Sequence, residues 1–275
     1  MPSPTLRRRL LRLLAALLTL VLLAAAGLVV WSRTGVMDAE TAPWQEVQED
    51  SRIAEERTDI ALVLRPSEPE PARTGLLFYP GAKVEPEAYA ARLSGLVTEL
   101  GVTVVIVDPP LNLSLFDRRA PERFTSIAPE LETWLVGGHS MGGVRACELA
   151  EEADALVLFA SYCAAGLSST EVPVLSLSGS EDGLSTPKKI AEHRDALPGS
   201  AEMVEIAGAS HASFGDYGPQ GGDGTATIDD AEMDTAVEEA VAELLGTIVG
   251  SGASWPVPGF LASACQVSGA SVRRA

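Results

Sequence analysis

Apolar residues are arranged along this chain in three ways, and each arrangement predicts a different kind of element. Residues 13–31 form an uncharged, almost wholly apolar run, long enough to span a hydrocarbon core and longer than the apolar stretch of an ordinary signal peptide. Residues 60–64, 75–79, 102–107, 134–136, 155–160, 174–178 and 203–206 are short aliphatic or β-branched blocks. Blocks of that length, bounded by Gly and Pro, read as strands, and the Val-rich block at 102–107 has the profile of one buried on both faces. Pro66, Pro69, Pro71 and Gly75 place a turn-rich loop between the first two. The third arrangement is helical. Tyr89, Leu93, Leu96, Val97 and Leu100 recur at helical spacing and stop at Gly101. The segment after residue 140 and residues 187–197 and 228–248 also read as helices. Strand and helix alternate, which predicts an α/β fold: a mostly parallel, twisted sheet flanked by helices, with right-handed crossovers.

The flanks divide the chain further. Arg7, Arg8, Arg9 and Arg12 precede the long apolar run and no acid precedes Arg33. This predicts a membrane anchor in residues 1–33 whose basic end stays cytoplasmic, placing the rest of the chain on the extracytoplasmic side as a single-pass protein. Small residues at Ala24, Ala25 and Ala26 leave the alternative of signal cleavage and secretion, which would leave residues 27–31 as an exposed apolar stub. Residues 34–57 are acidic and weakly patterned and read as a linker, 58–250 as the folded domain, and the Ser-, Gly-, Ala- and Pro-rich residues 251–275 as a flexible tail.

The net charge of −18 is carried by everything after the arginine-rich start. Such a surface is well solvated and repels nucleic acid. Three cysteines, Cys147, Cys163 and Cys265, lack metal-site spacing, and an odd count leaves at least one thiol free in a monomer. Cys147 reads as buried packing, and outside the cytoplasm a Cys163–Cys265 bridge would require their Cα atoms to lie within bonding reach.

Candidate chemistry centres on residues 134–143, a short strand that turns sharply into a helix. Gly138-His139-Ser140-Met141-Gly142 fits G-x-S-x-G, in which the serine sits on a strained turn and the glycines permit close packing. Ser140 is therefore the candidate nucleophile. A serine hydroxyl needs a base within hydrogen-bond reach and a third group to orient that base. Of three histidines, His139 adjoins the serine with its side chain expected to turn away, and His193 falls in a predicted surface helix. His211 follows the last strand in a loop able to return over the sheet edge. Asp182 directly follows the strand at 174–178, with Glu181 as its rival. Serine, acid, histidine is the chain order of one known triad arrangement. For the oxyanion, Met141 N–H and an N–H of the loop after the 75–79 strand, Ala82, are the candidate donors. A plain turn at residues 80–82 is equally compatible with those residues.

With these pieces located, residues 60–248 resemble the α/β-hydrolase superfamily, and within it the small lidless members akin to dienelactone hydrolases. The matching pieces are Phe78-Tyr79-Pro80-Gly81-Ala82, the elbow around Ser140, residues 179–184, and Ser210-His211 followed by residues 214–218. The resemblance implies Ser140, Asp182 and His211 as a triad, Ala82 and Met141 as oxyanion donors, and no metal or organic cofactor. The short interval from Ser140 to Asp182 leaves no room for a cap domain, so an open, shallow pocket is expected, walled by residues 111–124, 162–168 and 214–217. Tyr79-Pro80 departs from the His-Gly usual at the start of the oxyanion loop. The expected activity is hydrolysis of an ester or related small acyl substrate. The rival expectation is a catalytically silent module of the same fold, shown to a protein partner at the membrane surface. Oligomeric state is left open.

Overall fold

The computed structural model of the protein describes residues 4–68, 73–164, 166–249 and 272–274. Its strand blocks join in one nine-stranded sheet of order β1-β2-β4-β3-β5-β6-β7-β8-β9. The strands are β1 (Ile53–Arg57), β2 (Ala61–Pro66), β3 (Thr74–Tyr79), β4 (Thr103–Val107), β5 (Thr133–His139), β6 (Ala155–Phe159), β7 (Val174–Gly179), β8 (Glu202–Ile206) and β9 (Val272–Arg274). From β4 through β8 all neighbours are parallel, while β1, β2 and β9 join antiparallel at the edges. β2 and β3 follow one another in sequence but are not neighbours, because β4 lies between them.

Among the described residues, seven α-helices flank or precede the sheet: α1 (Pro4–Arg33), α2 (Thr41–Glu49), α3 (Ala90–Thr98), α4 (Glu122–Thr125), α5 (Met141–Cys147), α6 (Pro187–Glu192) and α7 (Asp230–Val249). Alternation along the strands sorts the core into two layers. Leu76 and Phe78 of β3 and Val104 and Ile106 of β4 pack with Leu93 of α3 and Val241 of α7. Their neighbours Leu77, Tyr79, Val105 and Val107 face the other way, towards Phe124 of α4 and Ala146 of α5. Successive strand residues point to opposite faces, so a strand covered on both sides must be apolar throughout.

The order β4-β3-β5 positions the site. The connection leaving β3 crosses to β4 on one side, and the chain then returns to β5 on the other side of β3. Such a reversal opens a crevice at the carboxyl ends of the two central strands. Ala82 follows β3 and Ser140 follows β5.

Four expectations meet a different outcome. Residues 34–57, read as a linker, contain α2, with Val47 buried in the core, and the polar edge strand β1. A strand with one exposed face and one exposed edge needs few apolar residues, so β1 gives little hydrophobic pattern. Cys163 pairs with Cys147, the last residue of α5, at a Cα separation of 5.5 Å. This replaces both the Cys163–Cys265 bridge and the reading of Cys147 as simple packing, because the fold brings the end of the elbow helix beside the loop leaving β6. The helix read over residues 187–197 ends as α6 at Glu192, and a 3-10 turn follows at Arg194–Ala196. Of the expected tail, residues 272–274 pair with β8, and the remainder, with Cys265, lies outside the described residues.

Within α1, Leu11–Arg33 is a 23-residue stretch long and apolar enough to cross a membrane, and its apolar 18-residue window has mean hydropathy 2.8 with none of it buried.

Candidate active site

Ser140 stands between β5 and α5 with φ 52° and ψ −119°. For a residue with a side chain that conformation costs roughly 1–3 kcal/mol and persists only when its surroundings impose it. Here they do. Ser140 N–H donates to Phe159 O at 2.9 Å and Ser161 Oγ donates to Ser140 O at 2.7 Å. A Cβ on Gly142 would lie 1.9 Å from Tyr79 O, and one on Gly138 would lie 2.5 Å from the Gly142 carbonyl carbon. The turn closes this tightly only because both positions lack a side chain.

The acid and histidine come together as the chain order implies. His211 Nδ1 lies 2.8 Å from Asp182 Oδ2, and both side chains are buried. Asp182 Oδ1 accepts from Leu184 N–H and Ser185 N–H, each at 2.7 Å. With both carboxylate oxygens engaged, its orientation towards the imidazole is fixed. Glu181, the rival, is exposed and accepts from Ser180 Oγ at 3.2 Å. Among the described residues, no hydrogen bond links Ser140 Oγ to His211. Catalytic bonds of this type are commonly long before substrate binds.

Neither Ala82 N–H nor Met141 N–H donates to a protein acceptor among the described residues. Their neighbours are engaged: Gly81 N–H donates to Tyr89 Oη, Lys83 N–H to Asn112 O and Gly143 N–H to Ser140 O. Two uncommitted amides flanking a serine are what a developing oxyanion requires. Tyr79, the departure from His-Gly, points into the core against Phe124 and beneath Arg145, so the substitution fills the layer under α5. Burial raises its phenol above the ordinary range.

Two features carried no signal that was read in the sequence. Asp223 ties the acid loop to the histidine loop: its Oδ1 accepts from Gly183 N–H and His211 N–H, each at 3.0 Å, and its Oδ2 from Ala212 N–H at 2.8 Å. Burial by itself would raise its carboxyl, but these backbone donors, with Gly224 N–H, outweigh burial and lower it. The cluster Gly221-Gly222-Asp223-Gly224 was a legible turn signal, though nothing local says what its carboxylate holds.

The second is the layer under His211. The His139 ring packs 4.5 Å from that of His211. Tyr89 Oη lies 2.9 Å from His139 Nδ1, and burial keeps that phenol protonated, so Tyr89 donates and the imidazole proton resides on Nε2. Burial first, and the nearby His211 second, hold His139 well below the ordinary imidazole range. A neutral ring thus packs against His211. His193, by contrast, stacks on Tyr162 at 4.1 Å and donates from Nδ1 to Lys189 O at 2.8 Å, apart from this cluster.

The segment after α1 straps the two sides of the site. Met37 N–H donates to Lys83 O beside the Ala82 loop, and Glu40 N–H donates to Asp216 O beyond His211. No group of His, Cys, Asp or Glu among the described residues is arranged to hold a metal ion.

Comparison with known proteins agrees with this fold. The model of the alpha/beta hydrolase family matches residues 75–235. No curated protein matches the chain.

Proposed function

Because the chain belongs to the alpha/beta hydrolase family, we propose that it is a serine hydrolase cleaving an ester or related acyl substrate through an acyl-enzyme, with Ser140, His211 and Asp182 as its triad. The observation that carries this reading is the buried 2.8 Å contact between His211 Nδ1 and Asp182 Oδ2, in the loops after β7 and β8, at the same carboxyl edge of the sheet as the strained Ser140 turn.

Chemistry follows from that contact. Asp182 accepts the Nδ1 proton, which leaves the lone pair of His211 on Nε2. As Ser140 Oγ bonds to the substrate carbonyl carbon, Nε2 takes the hydroxyl proton, and the carbonyl oxygen becomes an oxyanion held by Ala82 N–H and Met141 N–H. Collapse breaks the bond to the leaving group, which departs with the proton from Nε2. Water then repeats the sequence on the acyl-enzyme and releases the acid. No step calls on a metal or organic cofactor.

The same reading makes α1 a single-pass anchor with its arginines in the cytoplasm and the catalytic domain outside. A disulfide between Cys147 and Cys163 fits an oxidising compartment.

A fluorophosphonate probe should label the wild-type protein at Ser140, and Ser140→Ala should abolish labelling while the protein stays folded. Hydrolysis of a short-chain activated ester should fall on the order of 10⁶-fold, and Ser140→Ala combined with His211→Ala should be hardly worse than either, as for a triad acting as a unit. A folded Ser140→Ala protein that keeps wild-type turnover would replace this reading with that of a catalytically silent binding module.

A further inference from the structure

The carboxyl end of α1 is built into the mouth of the site. Ser32 is fully buried, and its carbonyl accepts from Asn112 Nδ2 at 3.2 Å. The ammonium of Lys83, the residue after Ala82, lies 4.7 Å from the centre of the Trp31 ring. Lys83, Leu111 and Asn112 all have left-handed backbone, at φ 59°, 61° and 54°. Three such residues in two adjoining loops shape the surface on which the helix end rests. The last turn of the apolar helix therefore meets the catalytic domain with no free spacer between them.

A second observation concerns what this edge exposes. Outside α1, Phe116 is the one large hydrophobic side chain classed as exposed among the described residues, at 54%. It closes the 3-10 turn Ser114–Phe116, directly after the loop that receives Ser32. That turn packs against α5, and Ser114 Oγ donates to Pro80 O at 2.7 Å, just ahead of Gly81 and Ala82. Trp31 is likewise half exposed, and Arg33 ends the helix. Aromatic and basic residues at the end of an apolar span settle at headgroup depth. If Trp31 lies there, loops docked on Ser32 lie there too, and an aromatic ring exposed to water becomes a ring inserted in the interface.

Resting on the anchored serine-hydrolase reading, we propose that the mouth of the Ser140 site is pressed against the bilayer, and that its substrate is an acyl ester resident in the membrane. The acyl chain stays in lipid while its ester carbonyl, at headgroup depth, reaches Ser140. The Ser140 Oγ–acyl bond forms, the ester C–O bond breaks, and the alcohol leaves with the proton carried by His211. Water then frees the carboxylate.

The test uses full-length protein in phosphatidylcholine vesicles with two reporters: p-nitrophenyl acetate in solution and p-nitrophenyl palmitate in the bilayer. A variant joins Ser32→Arg, which cannot occupy the buried position, to a flexible Gly-Ser insertion of about 20 residues after Arg33 that lets the domain rise. Palmitate ester hydrolysis should fall about tenfold or more as the site loses its high local concentration of substrate, with acetate hydrolysis within about twofold of wild type. An unchanged ratio of the two rates overturns the inference. In a Cys265→Ser background, a fluorophore on Phe116→Cys should be quenched by brominated lipid, and one on Ser200→Cys, at the opposite sheet edge, should not. Equal quenching at both positions also overturns it. Failure of the underlying reading looks different: no fluorophosphonate labelling and no acetate hydrolysis remove the hydrolase, and carbonate extraction of the protein removes the anchor. Either takes this inference with it.

Discussion

The turn at Ser140 and the contact between Asp182 and His211 are held by opposite means. Around Ser140 the constraint is steric: backbone lies against backbone where Gly142 meets Tyr79 O, and φ 52° is imposed on a residue that disfavours it. Around His211 the constraint is polar: Asp182 and Asp223 between them gather Leu184, Ser185, Gly183, His211 and Ala212 N–H groups and the imidazole. On the proposed serine-hydrolase reading the difference has a chemical logic. A nucleophile must be lifted clear of its surroundings, which packing achieves without placing a competing hydrogen-bond partner beside the hydroxyl. A base must be held in one tautomer, which only a directed acceptor can do. The first half should therefore fail through misfolding and the second through lost turnover in a protein that remains folded.

The largest expected effect lies in the polar half. Asp182→Asn should lower kcat about 10⁴-fold, as when a triad acid no longer selects the productive tautomer, while Glu181→Gln stays near wild type. Steady-state kinetics on a soluble ester decide this, and the reverse ranking would move the acid to Glu181. Next comes the steric half. Gly142→Ala should cost about 3 kcal/mol of stability in urea titration, because the atoms its Cβ meets are backbone oxygens of Tyr79 and Pro80 that cannot rotate away. Full stability in that variant would show that the turn can relax. Asp223→Ala sharpens the contrast: it touches no reacting atom, yet kcat should fall about 10²-fold with KM little changed, the scale expected of a small misplacement of the base. Asp223→Asn, keeping one acceptor oxygen, should recover part of that loss, which a merely structural role would not require.

The smallest effect belongs to the ring between the two halves. His139 is held neutral in the folded protein, so below the ordinary imidazole pKa of about 6.5 the unfolded chain binds a proton that the folded one refuses. Stability must then decrease as pH falls below that value, by up to about 1.4 kcal/mol per pH unit. Thermal unfolding of wild type and His139→Asn at pH 7.5 and 5.5 should show the wild type losing about 1 kcal/mol more across that interval. An equal loss in both would mean that the ring is not the group refusing the proton.

Periodicity and short motifs carried a great deal, because they record local physics. A strand buried on two faces must be apolar along its length, as residues 103–107 are, and a serine on a sharp turn needs glycine at both flanks, as Gly138 and Gly142 show. From such constraints the α/β architecture, the elbow and the loops carrying Asp182 and His211 were legible, as was an apolar segment able to span a bilayer. What the tertiary structure alone decided involves partners far apart in sequence. Asp182 rather than Glu181 meets His211, Cys147 rather than Cys265 bonds Cys163, and Asp223 closes two loops at once. Residues 53–57 become an edge strand of the sheet, and Ser32 lands on Asn112. A carboxylate or a thiol has the same local signature whichever neighbour it finds. Its partner is chosen only when strand order and crossover direction bring distant loops to one edge.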